Sequence, residues 1–395
     1  MLRRLSVQTS GESHGRGLIA SIAGIPAGFR VDRPFIDALL ARRQGGFGRS
    51  ARQRLEHDTA DVLSGVHRGR TSGAPVTLAV WNVDDSLASK PPLKRPRPGH
   101  ADLAGGQKYG LRDMRPVLER ASARETAARV AAGGLAAGVL RELGIEVFAH
   151  VLALGEVRAR PVRLGPRLAS FRARRDRSPF YCLDPASERA MRAAVEAARR
   201  RGDTLGGCFE VQAQAVPPGL GSLDDWGSRL DARLGAALLS IPAIKAVEIG
   251  DGLAVSRGSG RTAHDALAAP GPAGPRRAGN RAGGVEGGMS NGEPLVVRAY
   301  MKPLSTLARP LPSWDFTAGR GGPAFYERSD VTALPAASVV GEAMVALVVL
   351  DALLEKTGGD HRRDVVAALS RQRRAVARLF GRSPRPARAR RTSQR

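Results

Sequence analysis

The sequence predicts an α+β fold on three observations. Segments with the alternation and β-branched content of half-buried strands are mixed with helices that carry clear start and stop signals. The two kinds of element do not keep the steady rhythm of βαβ units, and no internal repeat is present. With 395 residues, 42% of them hydrophobic, the chain also has enough apolar material for a sizeable core.

The first helix opens at Asp32 and Pro34, runs through Phe35, Ile36, Leu39 and Leu40, and stops at Gly45-Gly46. The second is "ASARETAARVAAGGLAAGVLRELG" (121–144), where Ser122 and Glu125 form a capping box and Gly144 ends the helix. Gly133 and Gly134 weaken its interior, so close packing against a neighbour is expected there. Asp184-Pro185 starts a third helix, ending at Gly202. "SLDDWGSRLDARLGAALLSI" (222–241) predicts a fourth, stopped by Pro242. The apolar run 338–356 carries Glu342 and Asp351 and is short for a bilayer, which predicts a buried core helix and no membrane association. The strand-like pieces are "LIASIAGIP", "APVTLAVWN", "IEVFAHVLALGEV", "CFEVQAQAVP", "AVEIGDGLAV" and "LVVRAYM".

The remaining stretches are rich in Gly and Arg. Residues 43–54, 270–293 and 308–328 predict mobile loops, and 157–178 holds eight arginines. The tail from about residue 381 has six arginines and no acidic or large apolar residue, so disorder is expected. The domain reading is a catalytic body over 1–360 and a basic C-terminal extension over 361–395. Cys182 and Cys208 are the only cysteines, too few for a disulfide framework or a Cys-rich metal site. No apolar stretch follows the basic start, so no signal peptide is expected and the location predicted is cytoplasmic.

Net charge is +25, and only six of the 62 basic residues are Lys. An arginine excess suits planar recognition of phosphate and carboxylate, and it also suits nucleic acid. The basic residues are spread along the chain with few aromatics for base stacking, so no specific nucleic-acid partner is expected.

"GESHG" (11–15) matches the G-x-S-x-G elbow of serine hydrolases, but a strand-like segment follows it where the elbow needs a helix. The pattern therefore directs interest to His14, held between turn residues where a ligand can approach. His100, in "RPGHADL", follows Pro98-Gly99 and precedes Asp102 by two residues. Two histidines in glycine-bearing turns favour acid–base chemistry near neutral pH over metal binding, since no metal-ligand spacing is present. "RRQGGFGRSARQR" (42–54) combines five arginines with three glycines. Arg120, Ser122 and Arg124 surround a predicted helix start, where free N–H groups favour phosphate. These features together suggest a small ligand bearing phosphate and carboxylate.

The motifs "GESHG", "RPGHAD", "KYGLRDMRPVLERASARETAARVAAG" (108–133), "GVEGGMSNGEP" (284–294), and "ERSD" with "LPAASVVGEAM" (327–344) occur in this order in chorismate synthases. The chain resembles that family over roughly residues 1–356. The resemblance implies a lyase of aromatic amino-acid biosynthesis, converting 5-enolpyruvylshikimate 3-phosphate to chorismate and phosphate by 1,4-anti-elimination. It implies a requirement for reduced FMN without net redox change. It also implies a homotetramer and a β-α-β sandwich with antiparallel sheets in the core and helices outside.

By the same resemblance His14 is the proton donor to the departing phosphate. His100 sits by the flavin ring, and Asp330 helps remove the substrate proton through flavin N5. Arg43 and Arg49 match positions that contact substrate and, in some members, a nicotinamide nucleotide, so NADPH is a possible flavin reductant. The flavin positions carried over are Arg120, Ala121, Ser122, Pro242, Ala243, Gly287, Lys302, Pro303, Leu304, Ser305, Thr306 and Arg328. The chain departs from the family pattern at three places. Ala121 stands where Ser is common, Pro242 where Asn is usual, and Thr332 where Cys is frequent. Flavin affinity is the property these changes put in question. A phosphate-ester hydrolase is the alternative, and it predicts phosphate release without flavin or a diene product.

Overall fold

The computed structural model describes residues 2–49, 57–162, 168–271, 274–327 and 330–380. Two antiparallel sheets carry the main body. The first has the order β1–β2–β6–β3, from β1 (Ser6–Ser10), β2 (Gly17–Ala23), β3 (Asp61–Ser64) and β6 (Val76–Trp81). A small hairpin of β4 (Val66–His67) and β5 (Arg70–Thr71) interrupts the sequence between β3 and β6. The second sheet has the order β10–β15–β9–β7–β8, from β7 (Glu146–Leu154), β8 (Val157–Arg158), β9 (Gly207–Gln214), β10 (Ile244–Ile249) and β15 (Leu295–Met301). In β2, Leu18, Ala20 and Ile22 are fully buried and alternate with half-buried residues. In β15, Leu295, Val297, Ala299 and Met301 do the same, so each sheet turns one apolar face inward.

Helices fill the space between the sheets, which corrects the expectation of sheets inside and helices outside. Helix α4 (Thr126–Glu142) packs on β2 and β6, α10 (Leu334–Thr357) packs on β7 and β9, and the two helices run against each other. The reason lies in their composition. A helix that is apolar on every side must be buried on every side, and α10 is buried from Leu334 to Leu354 apart from Met344. A Cβ on Gly133 would lie 2.3 Å from the Ala343 Cβ, and one on Gly341 would lie 2.2 Å from the Phe209 ring. These glycines let α4, α10 and β9 approach closely; of the two positions the sequence predicts for close packing, Gly133 meets α10, and a Cβ on Gly134 would lie 3.3 Å from Ile36 and Leu39. Helix α1 (Arg33–Gln44) packs on both core helices. Its N-cap is Asp32, whose side chain accepts from the Phe35 N–H.

Several boundaries differ from the sequence expectation. The helix predicted over 121–144 is three pieces. These are the last residue of α3 (Arg115–Ala121), a 3₁₀ turn (Ala123–Glu125) and α4. Ser122 accepts from the Arg124 N–H at the break and makes no capping box. The predicted helix 222–241 keeps only α7 (Leu230–Leu239), because Asp225 and Ser228 form a local hydrogen-bonded turn before it. "AVEIGDGLAV" splits into β10 and α8 (Gly252–Arg257). The helix begun by Asp184-Pro185 is α6 (Pro185–Arg201), with Gly202 at φ +71° beyond it.

The predicted loops contain hairpins. Residues 270–293 include the end of β11 (Leu267–Gly271) and all of β12 (Gly274–Arg277), β13 (Val285–Glu286) and β14 (Met289–Ser290). Residues 308–328 include β16 (Pro312–Asp315) and β17 (Arg320–Pro323). In the arginine-rich 157–178 stretch, α5 (Leu168–Arg177) forms, with Arg175 buried against Glu342. The boundary expected at 360 does not coincide with a break in packing. Helix α11 (Arg362–Phe380) places Val365 and Leu369 in the main core.

Candidate active site

The β1–β2 connection is a tight turn rather than a strand-to-helix elbow, as its sequence context predicts. Gly11 has φ +100°, and a Cβ there would lie 2.2 Å from the Gly17 carbonyl oxygen. Asn82 Nδ2 donates to the Glu12 and Gly15 carbonyls at 3.1 and 2.6 Å, closing the turn from β6. Ser13 and His14 are thereby turned onto α3, where the Ser13 N–H donates to the Glu119 carbonyl at 3.1 Å. The His14 Nδ1 lies 2.8 Å from Glu119 Oε2, and the His14 backbone N–H donates to the same oxygen at 3.1 Å. Ring and carboxylate are both buried. Burial opposes ionisation of Glu119, but its bonds with His14 and the charge of Arg115 outweigh this and hold the carboxyl below its usual range.

His100 ends the Arg97–His100 turn ahead of α2 (Asp102–Tyr109). Its Nδ1 meets Asp102 Oδ1. Arg97 grips the same carboxylate with Nε at 2.9 Å and Nη2 at 3.0 Å, and its Nη1 donates to Thr306 Oγ1 at 2.9 Å. Burial again opposes ionisation, and the bonds from His100 and Arg97 hold Asp102 far below the usual carboxylate range.

These two sites share the wall of one cavity of about 640 Å³. Arg43 and Arg49 line it at the end of α1. Arg43 donates to Thr126 Oγ1 at 3.0 Å and to the Ala123 carbonyl at 3.1 Å, and it pairs with buried Asp58. Burial lowers its guanidinium to about 10, only partly offset by Asp58. Arg49 pairs with Asp330 at 2.7 Å, each side chain about one-tenth exposed. Arg120 reaches back to the Thr9 and Gly11 carbonyls, and the Ser122 hydroxyl donates to Ser13 Oγ at 3.2 Å. Opposite, Lys302 Nζ donates to Ser305 Oγ at 2.9 Å. Burial, with Lys245 nearby, lowers the Lys302 ammonium.

Sixteen residues of the cavity lining, Ser13 included, are singled out by the sequence: Ser13, His14, His100, Asp330, Arg43, Arg49, Arg120, Ala121, Ser122, Arg124, Pro242, Ala243, Lys302, Leu304, Ser305 and Thr306. Pro303 sits between lining residues without being one of them. Gly287 is not among the lining residues. It lies in the β13–β14 turn, held beside α7 by pairing of Gly221 with Met289. Arg328 lies outside the described residues. The sequence reading missed Glu119, Asp58 and Arg97 as individual residues. Glu119 and Arg97 stand inside motifs already noticed, whereas Asp58 carries no local signal.

A model of the family described as chorismate synthase matches residues 5–354. The chain belongs to the chorismate synthase family. It is 52% identical to the chorismate synthase of Acidothermus cellulolyticus over 380 residues, covering 91% of this chain and 95% of that one. It is 49% identical to that of Thermobifida fusca over 391 residues, covering 93% and 98%. It also matches a chorismate synthase crystal structure with a TM-score of 0.79 and 38% identity, over 96% of this chain and all of that one. The enzyme is thus a carbon–oxygen lyase acting on phosphates, which converts 5-enolpyruvylshikimate 3-phosphate to chorismate and phosphate. Its substrate is a small molecule, and the family implies a reduced flavin cofactor.

Proposed function

We propose that this cavity holds 5-enolpyruvylshikimate 3-phosphate beside reduced FMN, with His14 as the acid for the departing phosphate. The observation that carries the reading is the His14 Nε2. It is buried, it has no hydrogen-bond partner among the described residues, and it belongs to a ring that lines the arginine-rich cavity. A buried nitrogen of this kind costs free energy until a ligand meets it.

The donor set fits both molecules. Arg43, Arg49, Arg120 and Arg124 supply positive charge for two carboxylates and a phosphate. Ile241, Met301, Ala336, Ala337 and Val340 form an apolar part of the wall suited to a flavin ring system, with Lys302, Ser305 and Thr306 beside it for polar contacts. Ala121 contributes no hydroxyl. Pro242 precedes Ala243 at φ +69°, an αL backbone that few non-Gly residues adopt. The Ala243 carbonyl accepts from the Lys302 N–H at 2.9 Å, so the turn is tied to the sheet even with Pro at 242.

When bound, the reduced flavin supplies electron density that eases cleavage of the allylic C–O bond. In that elimination the C–O bonding pair leaves with phosphate, a ring C–H proton is lost, and a new double bond forms, with no net oxidation. As the imidazolium, His14 gives its Nε2 proton to the phosphate oxygen, and Glu119 keeps hold of the Nδ1 proton throughout. Asp330 supplies the carboxylate on the side where the substrate proton departs, and Arg49, now its partner, is the cation a substrate carboxylate would take over. His100, tied through Asp102 and Arg97 to Thr306, sits where it can control protonation beside the cofactor. NADPH as reductant, a homotetramer and a cytoplasmic location complete the proposal.

The test is anaerobic mixing of enzyme, substrate and chemically reduced FMN, with chorismate absorbance and phosphate followed together. Equal yields of both, dependent on FMN, support the reading. Phosphate without chorismate would support the hydrolase alternative instead.

A further inference from the structure

We infer that Glu119 is the positioning residue for His14, fixing the tautomer with hydrogen on Nδ1 so that Nε2 faces the ligand. This rests on the reading of His14 as the acid, and the tests below separate the two. Glu119 Oε2 meets both the backbone N–H and the ring Nδ1 of His14, at 3.1 and 2.8 Å. An ionised carboxylate only accepts, so Nδ1 must be the protonated nitrogen. A ring flip would break this bond and bring a carbon against the carboxylate.

The carboxylate is itself held. Arg115 Nη1 lies 3.4 Å from Glu119 Oε1. That guanidinium is fixed by the Pro91 carbonyl at 3.0 Å, by Glu327 at 3.1 Å, and by stacking 5.0 Å from the Phe325 ring centroid. On the other side, His14 Nε2 has no hydrogen-bond partner among the described residues, and Asp84 is 3.7 Å away with Lys90 at 3.6 Å from Asp84. The charged groups facing the ring are therefore Glu119 and Arg115 from α3, and Asp84 with Lys90 from the segment after β6. One nitrogen is occupied by a buried carboxylate; the other is buried, lies 3.7 Å from Asp84 Oδ2, and belongs to a ring that lines the cavity. Carboxylate–imidazole pairs orient general acids and bases in this way.

The full-length enzyme, labelled with ¹⁵N-histidine, reads the tautomer directly, with the His14 signals identified by their loss in His14→Ala. At a pH where His14 is neutral, the expected spectrum has a protonated Nδ1 and a bare Nε2. A protonated Nε2 or an even mixture overturns the inference, and this measurement needs no Glu119 variant to fold. In Glu119→Gln the tautomer is expected to become mixed. Its kcat should fall roughly 10- to 100-fold, part of what acid–base catalysis supplies, with KM changed little. Glu119→Asp, which keeps the carboxylate, should recover part of that loss and most of the pH profile. If both variants lower thermal stability alike but leave the tautomer and the pH profile of kcat unchanged, Glu119 is merely structural and the inference fails. If the expected tautomer is found but His14→Ala turns over normally, the acid role fails while the positioning by Glu119 stands.

Discussion

Two histidines line the cavity, each paired with a buried carboxylate behind it, and the two pairs differ in construction. His14 is almost fully buried, and its carboxylate comes from Glu119, 105 residues away in sequence. His100 has a side chain 21% exposed, and its carboxylate comes from Asp102, two residues on. Around Asp102 the Arg97 fork closes a tight local network, and Arg97 Nη2 also approaches His100 Nδ1 at 3.0 Å and Nε2 at 3.3 Å. Ionised Asp102 only accepts, so Nδ1 of His100 is the protonated nitrogen here too, and the bare Nε2 can accept from Arg97 Nη2. The His14 ring has one hydrogen-bond partner among the described residues, Glu119 on Nδ1, with Asp84 3.7 Å from Nε2. The difference teaches that both carboxylates hold the proton on Nδ1, while the surroundings of Nε2 set the two rings apart: a guanidinium approaches that of His100, and no hydrogen-bond donor among the described residues meets that of His14.

The largest effect should come from the first pair. His14→Ala is expected to lower kcat by about 10²- to 10⁴-fold with substrate binding largely kept, read by anaerobic turnover. The second pair should show its main effect in stability. Arg97→Ala leaves Asp102 buried without its fork, at a cost of about 3–5 kcal/mol in chemical denaturation. A destabilisation below about 1 kcal/mol would mean that His100 alone suffices to hold Asp102.

A control outside both pairs sharpens the contrast. Gly133→Val drives a side chain into Ala343 at the α4–α10 contact and should cost about 1–3 kcal/mol. The kcat of the folded fraction should stay unchanged. A large loss of kcat in that variant would show that the helical core, not the local pairs, governs the site.

The smallest effect is in acid. Glu119 and Asp102 are both held below their ordinary values of 4.5 and 3.8, so each stabilises the fold at neutral pH. That contribution is lost as pH falls below those values and through the depressed ones. Melting temperature should therefore drop on acidification from about pH 4.5 downward, and Glu119→Gln should flatten the upper part of the slope. An unchanged slope would mean that other carboxylates dominate.

Much of this was legible in the sequence because it was local. Asp32 and Pro34 start α1, Gly202 ends α6, and the β2 and β15 alternation places their inward faces. The turns around His14 and His100 are signalled by glycine and proline. What could not be read is long-range. Glu119 lies within an obvious motif, yet only the packing of α3 under the β1–β2 turn makes it the partner of His14. Asp58 stands in an unremarkable stretch and is drawn in by Arg43 and Arg124. The break between α3 and α4 escaped notice because Ser122 and Glu125 fit a capping box that the chain does not use. The layer order was misjudged for a related reason. An Ala-rich helix and an all-apolar one are compatible with several surroundings, and their mutual packing through Gly133 places them between the sheets.

The most direct test of the two-pair account is an anaerobic single turnover of His14→Ala and His100→Ala with chemically reduced FMN, following the flavin spectrum and chorismate together. The account predicts that His14→Ala binds flavin and substrate like the parent enzyme and forms chorismate at least about 100-fold more slowly. It predicts that His100→Ala alters the spectrum or affinity of the bound flavin as well as the rate. Near-normal chorismate formation by His14→Ala, or the same flavin spectrum and the same defect in both variants, would contradict it.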